Sequence, residues 1–323
     1  MSSARGGRHA GLPGYPRREA TAKKGLGKVI ASLGRVWRRH REAYLLLALP
    51  LAIIVFFRVF TVFGAVWISL VQYGPKSTPF VGAANYLSTV KDDTFWHSML
   101  VTLYYTVGVV PVGLVIALAL SQAVFSLGHK SQVFYKAAYY LPAVVSGTVM
   151  SLVWLWLFDP VYGLLNYVFK LPGIAPLLWL RSPDTAMPSL ILMAVATGQG
   201  AAIVLLTAAM GGIPEPLYES ARVDGATKWE EFRHITIPLL RPTILYLLIM
   251  GTIGSFQVFP SVYVMTSGGP YHATETVVFL LYRYAFQLLD FSRASAIGVI
   301  LAVILAGVSA LQYVFVAGDS VEY

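Results

Sequence analysis

Residues 213–242 read IPEPLYESARVDGATKWEEFRHITIPLLRP, a polar stretch between long apolar runs. Pro216 suits the first turn of a helix, where a missing N–H costs little. Gly225 is expected to end that helix, because glycine adopts the left-handed cap most readily. Thr227, followed three residues later by Glu230, predicts a capping box that begins a second helix. The sequence therefore predicts an ordered helix-turn-helix with charges of both signs on its surface.

The rest of the chain is far more apolar than a typical soluble domain. Of its 323 residues, 57% are hydrophobic and only 12% are charged. A bilayer crossing takes about 20 apolar residues, and six runs are long enough: Ala43–Tyr73, 94–129, Ala137–Phe158, Thr185–Pro214, Pro242–Thr274 and Ala294–Gly318. We predict an all-α integral membrane protein with six transmembrane helices, centred near Val55, Gly113, Ser146, Ala201, Ile253 and Ala306.

Positive charge is unevenly distributed between the two sides of this predicted bundle. If the N-terminus lies inside, seventeen Lys and Arg residues fall on the inner side and six on the outer side. The positive-inside rule then predicts that both termini and residues 213–242 are cytoplasmic.

Eleven of the basic residues lie in the first 42 positions, which we predict to be a mostly disordered cytoplasmic tail facing lipid headgroups. This tail has no aromatic ladder, so nucleic-acid binding is not predicted. The six-helix domain is assigned to residues 43–318. The absence of cysteine excludes disulfides and thiolate metal sites.

The connections between the spans are predicted from charge and turn residues. Ser126–Lys136 is interpreted as a short inner turn, with the third span, Ala137–Phe158, as one helix. The apolar patch Val161–Phe169 is too short to span and is interpreted as an interfacial helix. Residues 266–289 are predicted to form an outer segment with a short amphipathic helix at Val277–Leu281.

The polar stretch resembles the cytoplasmic signature of permease subunits in binding-protein-dependent ABC importers, E-A-A, three residues, G, nine residues, I-x-L-P. Glu219-Ser220-Ala221, Gly225 and Ile235-Thr236-Ile237-Pro238 match its spacing, with Ser220 in place of Ala and Ile237 in place of Leu. The resemblance implies the type I ABC importer permease fold. It also implies that residues 213–242, called the coupling loop below, dock onto an ATPase. The implied docking residues are Leu217, Glu219, Ser220, Ala221, Arg222, Asp224, Gly225, Ala226, Phe232, Ile235 and Pro238.

A second resemblance concerns the carbohydrate-importing branch of that family, the maltose and glycerol-3-phosphate type. Tyr263-Val264-Met265-Thr266-Ser267-Gly268-Gly269-Pro270, then Thr274-Glu275-Thr276 and Tyr284-Ala285-Phe286, look like the segment after the fifth span in that branch. The branch often carries Asp where Pro260 stands here. A permease for polyamines, phosphate or peptides stays an alternative, as does a membrane scaffold without a transport role.

The family resemblance implies several partners in the cytoplasmic membrane of a prokaryote. These are two ATP-binding subunits at the inner face, a second permease subunit that forms a heterodimer, and an extracytoplasmic sugar-binding protein. The chain has no G-x-x-x-x-G-K-[ST] sequence, so ATP hydrolysis is assigned to the partners. No cofactor or metal site is predicted.

Polar residues in the predicted spans are candidates for a sugar path near the bilayer midplane. They are Thr197, Gln199, Gln257, Ser261 and Tyr263, and each is as readily explained by hydrogen bonding between helices. Arg58 is the only basic residue well inside a predicted span. A guanidinium at that depth costs about 2.5–3.5 kcal/mol on insertion scales. Arg58 is therefore expected either to border the outer part of the path or to extend to the outer interface.

Overall fold

A computed structural model describes residues 46–74, 77–173 and 175–317. Within these ranges the chain is helical and contains no β-strand, apart from one isolated bridge between Val71 and Phe80. The predicted basic tail, residues 1–42, lies outside the described residues.

Fourteen helices follow one another along the described residues, numbered here in chain order. They are α1 (Leu46–Ser69), α2 (Ala84–Val90), α3 (Asp93–Phe125), α4 (His129–Val144), α5 (Gly147–Leu157), α6 (Leu164–Lys170), α7 (Pro183–Thr197), α8 (Gly200–Gly211), α9 (Glu215–Val223), α10 (Lys228–Glu231), α11 (Arg241–Phe256), α12 (Pro260–Met265), α13 (Val277–Tyr282) and α14 (Phe291–Ala317). Helix α10 continues through a π-helical turn, Phe232–Thr236, and a last short turn, Ile237–Leu239.

Four of the helical segments in the described part of the chain are long and apolar enough to cross a membrane: Leu46–Ser69, Asp93–Phe125, Arg241–Met265 and Phe291–Phe315. Two further spans are possible if each of two bent helix pairs counts as one. The pair α4 and α5 is bent by 95°, and the pair α7 and α8 by 42°. The prediction of six membrane segments agrees with this count when each pair is one broken span.

The prediction that the third span is one continuous helix was wrong. The predicted turn at Ser126–Lys136 is largely helical, because α4 already begins at His129. The chain then breaks at Val145, whose extended backbone ends α4. The side chain of Ser146 caps the new helix by accepting a hydrogen bond from the N–H of Val149 at 3.3 Å. A local capping signal therefore divides an apolar run that was predicted to be one helix.

The two short helices predicted between the spans are present. Helix α6 lies at Leu164–Lys170, close to the predicted Val161–Phe169. Helix α13 begins at Val277 as predicted, but Val277 and Leu280 are fully buried. They pack with Phe95 of α3 and Ile297 of α14, so α13 belongs to the core of the bundle.

Helix α3 is the central element of the unit Gly64–Tyr323, and it packs against α7, α8, α11 and α13. Small residues allow this close packing. A Cβ at Gly108 would lie 2.6 Å from the Cδ1 of Ile191, so a larger residue at this crossing of α3 and α7 would force the Ile191 side chain to move. Lipid is as apolar as the helices, and such contacts therefore stabilise a membrane bundle through close packing.

A charged junction joins the first residues of α3 to those of α14. The Asp92 carboxylate caps α3 by accepting from the N–H of Thr94 at 2.9 Å, and it pairs with the Arg293 guanidinium. It also accepts from the Tyr284 hydroxyl at 3.0 Å. Burial opposes ionisation of Asp92, but these hydrogen bonds, led by that from Thr94, and the charge of Arg293 hold its pKa below the ordinary value.

Residues up to Phe63 form a separate unit. Its described residues, 46–63, are helical and exposed throughout, with a π-helical turn at Val55–Phe60.

Candidate functional site

The first helix of the coupling loop ends in a Schellman motif. Gly225 has a φ of +87°, in the left-handed region. The N–H of Ala226 donates to the carbonyl of Ala221 at 2.9 Å, and the N–H of Gly225 donates to that of Arg222 at 3.1 Å. These two bonds satisfy carbonyls that a helix end otherwise leaves without partners. The predicted helix stop at Gly225 is confirmed.

The capping box predicted for the second helix is also present. The N–H of Thr227 donates to the Glu230 carboxylate at 2.7 Å, and the N–H of Glu230 donates to the Thr227 hydroxyl at 3.4 Å. The N–H and then the hydroxyl of Thr227 hold the pKa of Glu230 below its ordinary value. The turn between α9 and α10 therefore has a defined geometry on both sides.

Arg222 bridges the two helices of the loop. Its Nε donates to Glu231 at 2.9 Å and its Nη1 donates to Glu215 at 3.2 Å. The hydrogen bond and charge of Glu231, followed by those of Glu215, raise the pKa of Arg222. The family resemblance implies that Arg222 docks onto an ATPase. In the structure, Arg222 also has an intramolecular partner on each of the two helices.

A buried contact closes the base of the loop. The hydroxyl of Tyr218 lies 2.9 Å from the Oγ1 of Thr236, and both residues are almost fully buried. Neither residue is recognisable from the sequence as part of such a contact. A tyrosine in a polar loop, 18 positions from a threonine, gives no local signal that the two side chains meet.

The predicted docking residues divide into an exposed and a half-buried group. Exposed are Leu217, Glu219, Ser220, Arg222, Asp224 and Gly225, and half-buried are Ala221, Ala226, Phe232, Ile235 and Pro238. Leu217 is accompanied by two further exposed apolar side chains, Val223 at 88% and Trp229 at 65% relative exposure. Apolar side chains exposed in a polar segment agree with a role in protein contact. Trp229 is an addition that the sequence signature did not contain.

A cavity of about 510 Å³ lies among α3, α7, α8 and α11. Its polar lining includes Thr197 and Gln199, which stand at the break between α7 and α8, together with Ser255 of α11. Ser255 donates to the Thr106 hydroxyl at 3.1 Å and so joins α11 to α3. A hollow between helices with a mostly apolar lining and a few polar groups is a common form of ligand site.

The break that shapes this cavity depends on two glycines. A Cβ at Gly113 would lie 2.5 Å from the Nε2 of Gln199, so the amide packs directly on the backbone of α3 and would have to move if a larger residue stood there. A Cβ at Gly200 would lie 2.3 Å from the carbonyl oxygen of Tyr139. The start of α8 therefore packs directly on the backbone of α4, and Gln199 is held at the wall of the cavity.

The structure brings Thr197 and Gln199 to this cavity but places the other predicted path residues elsewhere. Gln257 is exposed where α11 ends, and Ser261 is buried in α12. Tyr263 packs against the rings of Phe259 and Tyr282, at centroid distances of 5.3 and 5.2 Å. Arg58 is exposed within α1, in the separate first unit. Its role stays a prediction.

The two helices that leave the coupling loop both reach the cavity. Helix α8 precedes the loop and contributes Ala201 and Ala202, and α11 follows it and contributes Leu247, Met250, Gly251, Gly254 and Ser255. The loop and the cavity are thus connected through two continuous helices.

Comparisons with known proteins agree with this arrangement. Residues 109–318 match the family model described as the binding-protein-dependent transport system inner membrane component. The chain is 34% identical over 274 residues to the trehalose/maltose transport system permease protein MalF of Thermococcus litoralis, covering 83% of this chain and 92% of that protein. It is 31% identical over 278 residues to the sn-glycerol-3-phosphate transport system permease protein UgpA of Yersinia pestis, covering 84% and 93%. A chain of a bacterial alginate ABC transporter, solved in complex with an alginate pentasaccharide-bound periplasmic protein, has the same fold, with a TM-score of 0.74 at 22% identity over 86% of this chain and 96% of that one.

Proposed function

The chain belongs to the family of binding-protein-dependent transport system inner membrane components, and from this premise we propose that it imports a sugar or sugar derivative. It is a multi-pass membrane permease of an ABC importer, a transport subunit rather than an enzyme. Relatives named for trehalose/maltose and for glycerol-3-phosphate, each matched over more than four fifths of this chain, support the sugar class.

The proposed mechanism rests on one observation: α8 and α11 both run from the coupling loop to the cavity. One of the two ATP-binding subunits engages the coupling loop from the cytoplasm, and closure of the ATPase dimer displaces α9. Because Tyr218 and Arg222 tie α9 to the second helix, the loop moves as one body. That motion shifts α8 and α11 and changes access to the cavity lined by Thr197 and Gln199.

The further partners follow from the same proposal. A second permease of similar fold completes the path as a heterodimer, and an extracytoplasmic binding protein delivers the sugar. Both termini and the coupling loop face the cytoplasm, in agreement with the distribution of Lys and Arg.

Uptake by the complete importer tests the proposal. Cells or proteoliposomes containing it are given radiolabelled trehalose, maltose, glycerol-3-phosphate, putrescine, phosphate and a tripeptide. ATP-dependent uptake of a sugar or sugar phosphate, lost when this chain is deleted, is expected. Uptake of only putrescine, phosphate or the peptide would assign the chain to a different importer branch and overturn the sugar proposal.

A further inference from the structure

A second cavity, separate from the one at the broken helix, is formed by the segment between α12 and α13. It has a volume of about 270 Å³ and is lined by six polar or aromatic residues, Tyr263, Ser267, Tyr271, His272, Arg283 and Gln287, and by Gly268, Gly269 and Phe279. We call it the loop pocket. It shares no lining residue with the 510 Å³ cavity.

The backbone around the loop pocket has an unusual and well-fixed conformation. Ser267, Tyr271 and His272 are non-glycine residues with φ of +49°, +48° and +63°. Left-handed conformations in such residues carry a cost that the surrounding structure must offset, and they concentrate at functional sites. Here the Thr274 hydroxyl donates to the Gly269 carbonyl at 2.7 Å, and the Ser267 N–H donates to the Val262 carbonyl at 2.8 Å.

In the lining of the pocket, a glycine packs directly on an aromatic ring. Gly268 has a φ of +81°, and a Cβ there would lie 2.6 Å from the Phe279 ring. The ring therefore approaches the backbone more closely than any other residue at position 268 would allow. The shape of the pocket is therefore determined by the backbone conformation and the packing around it.

A buried carboxylate sets the charge of the pocket. Glu275 is fully buried, its Oε1 lies 2.6 Å from Nη1 of Arg283, and its Oε2 lies 2.5 Å from Nδ1 of His272. A buried carboxylate requires such a partner. Because the charge of Glu275 compensates that of Arg283, this ion pair adds no net charge to the pocket, which favours a neutral polar ligand over an anion.

The Glu275 contact also orients the imidazole of His272. A carboxylate accepts hydrogen bonds, so the proton of the neutral ring belongs on Nδ1, and Nε2 becomes an acceptor. The pocket then combines an acceptor at His272 with the amide of Gln287 and the hydroxyl of Ser267. Tyr263 and Tyr271 add two aromatic rings, of which Tyr271 is 89% exposed.

Planar polar side chains beside aromatic rings suit a sugar ring, whose hydroxyls form hydrogen bonds at the edge and whose C–H face stacks on an aromatic surface. The volume suits one such ring. We propose that the loop pocket is a saccharide-binding subsite for one neutral hexose unit, distinct from the cavity at the break between α7 and α8. This inference rests on the proposed function for the class of its ligand.

Binding to the purified complete importer, in nanodiscs and without its binding protein, tests the subsite. The probe is D-glucose, observed by saturation-transfer difference NMR. Tyr271→Asn removes the ring but retains a residue that tolerates the left-handed backbone, and Gln287→Ala removes the amide. Each is expected to weaken glucose binding about tenfold, which corresponds to about 1.4 kcal/mol.

Tyr162→Asn is the matched control, because Tyr162 is also highly exposed, at 82%, and lies outside both cavities. It is expected to leave glucose binding unchanged, and unfolding temperatures verify that all three variants fold. The subsite proposal would be overturned if glucose did not bind, or if it bound equally to all variants. It would also be overturned if inorganic phosphate displaced the glucose. Sugar uptake that persists alongside such a result would leave the proposed function intact. The absence of sugar uptake alongside variant-dependent glucose binding would reject the function and support the subsite.

Discussion

The Tyr218 hydroxyl and the Thr236 hydroxyl lie 2.9 Å apart in the interior of the coupling loop and connect its first helix to the π-helical turn of its second. Each hydroxyl is the other's buried hydrogen-bond partner. The contact holds the two helices of the loop together independently of the exposed charged side chains.

Tyr218→Phe is expected to lower the free energy of unfolding by about 1–3 kcal/mol, because it leaves the buried Thr236 hydroxyl without this partner. Transport per ATP hydrolysed should fall as the loop loosens. Thermal unfolding and a coupled uptake assay in proteoliposomes measure the two effects. The double variant with Thr236→Val should recover part of the stability, and strictly additive losses would show that the two hydroxyls do not interact.

Gly225→Val is expected to destabilise the loop by about 1–2 kcal/mol, because a β-branched residue is placed at a φ of +87°. Nothing lies within 4 Å of the added Cβ, so the effect is conformational and not steric. Gly225→Asn should be milder. Co-purification of the ATP-binding subunits measures docking, with Glu219→Lys as a charge-reversing companion. Retention of those subunits and of full transport in both Gly225→Val and Glu219→Lys would contradict the docking role of the loop.

Gly200→Ala is expected to destabilise the bundle by about 1–3 kcal/mol, as overpacking does. The new Cβ would meet the carbonyl oxygen of Tyr139 at 2.3 Å, and a backbone atom cannot move aside as a side chain can. Gly307→Ala is the control, since no atom lies within 4 Å of that Cβ. Equal unfolding temperatures for the two variants would mean that α4 and α8 are not in close contact.

The junction at Asp92 predicts an acid dependence of stability. The pKa of Asp92 is lowered in the folded chain, so its stabilising effect is fully present above the unfolded pKa of about 3.9 and is lost as pH falls through the lower folded pKa. Asp92→Asn should reduce the fall in unfolding temperature below about pH 4. An unchanged pH profile in that variant would show that other carboxylates control acid unfolding.

The orientation of the chain is tested with single cysteines introduced into this cysteine-free protein. Ser131→Cys, in the predicted inner turn, should react with an impermeant maleimide only after the cells are opened, and Tyr162→Cys should react in intact cells. Both side chains are exposed, so access to the reagent depends on the side of the membrane. The reverse pattern would invert the predicted topology.

The coupling loop could be predicted in detail because its signals are local. The glycine stop and the capping box each act over three or four residues, and both appear where the sequence placed them. The type of fold was equally accessible, since the length and apolarity of each run determine whether it can cross a bilayer.

Features that were hidden inside apolar runs, or that depend on distant contacts, were missed. The break at Val145 was hidden inside an apolar run, because composition does not record where a helix turns. The cluster in which the buried Glu275 pairs with Arg283 and with the exposed His272 forms only when the segment after α12 folds back. For the same reason, Gln199 reaches the cavity at the broken helix while Gln257 does not.

Helices α8 and α11 are the two walls of the cavity that emerge from opposite ends of the coupling loop. Thermodynamic coupling between two positions is reciprocal, so a loop that biases the cavity must itself be biased by whatever occupies that cavity, and by the same free energy. A cargo molecule that separates these walls would therefore alter the affinity of the loop for its ATP-binding partner before any nucleotide is hydrolysed. Through this connection, the same thirty residues that are proposed to receive the ATPase movement would also report to the ATPase that cargo is present.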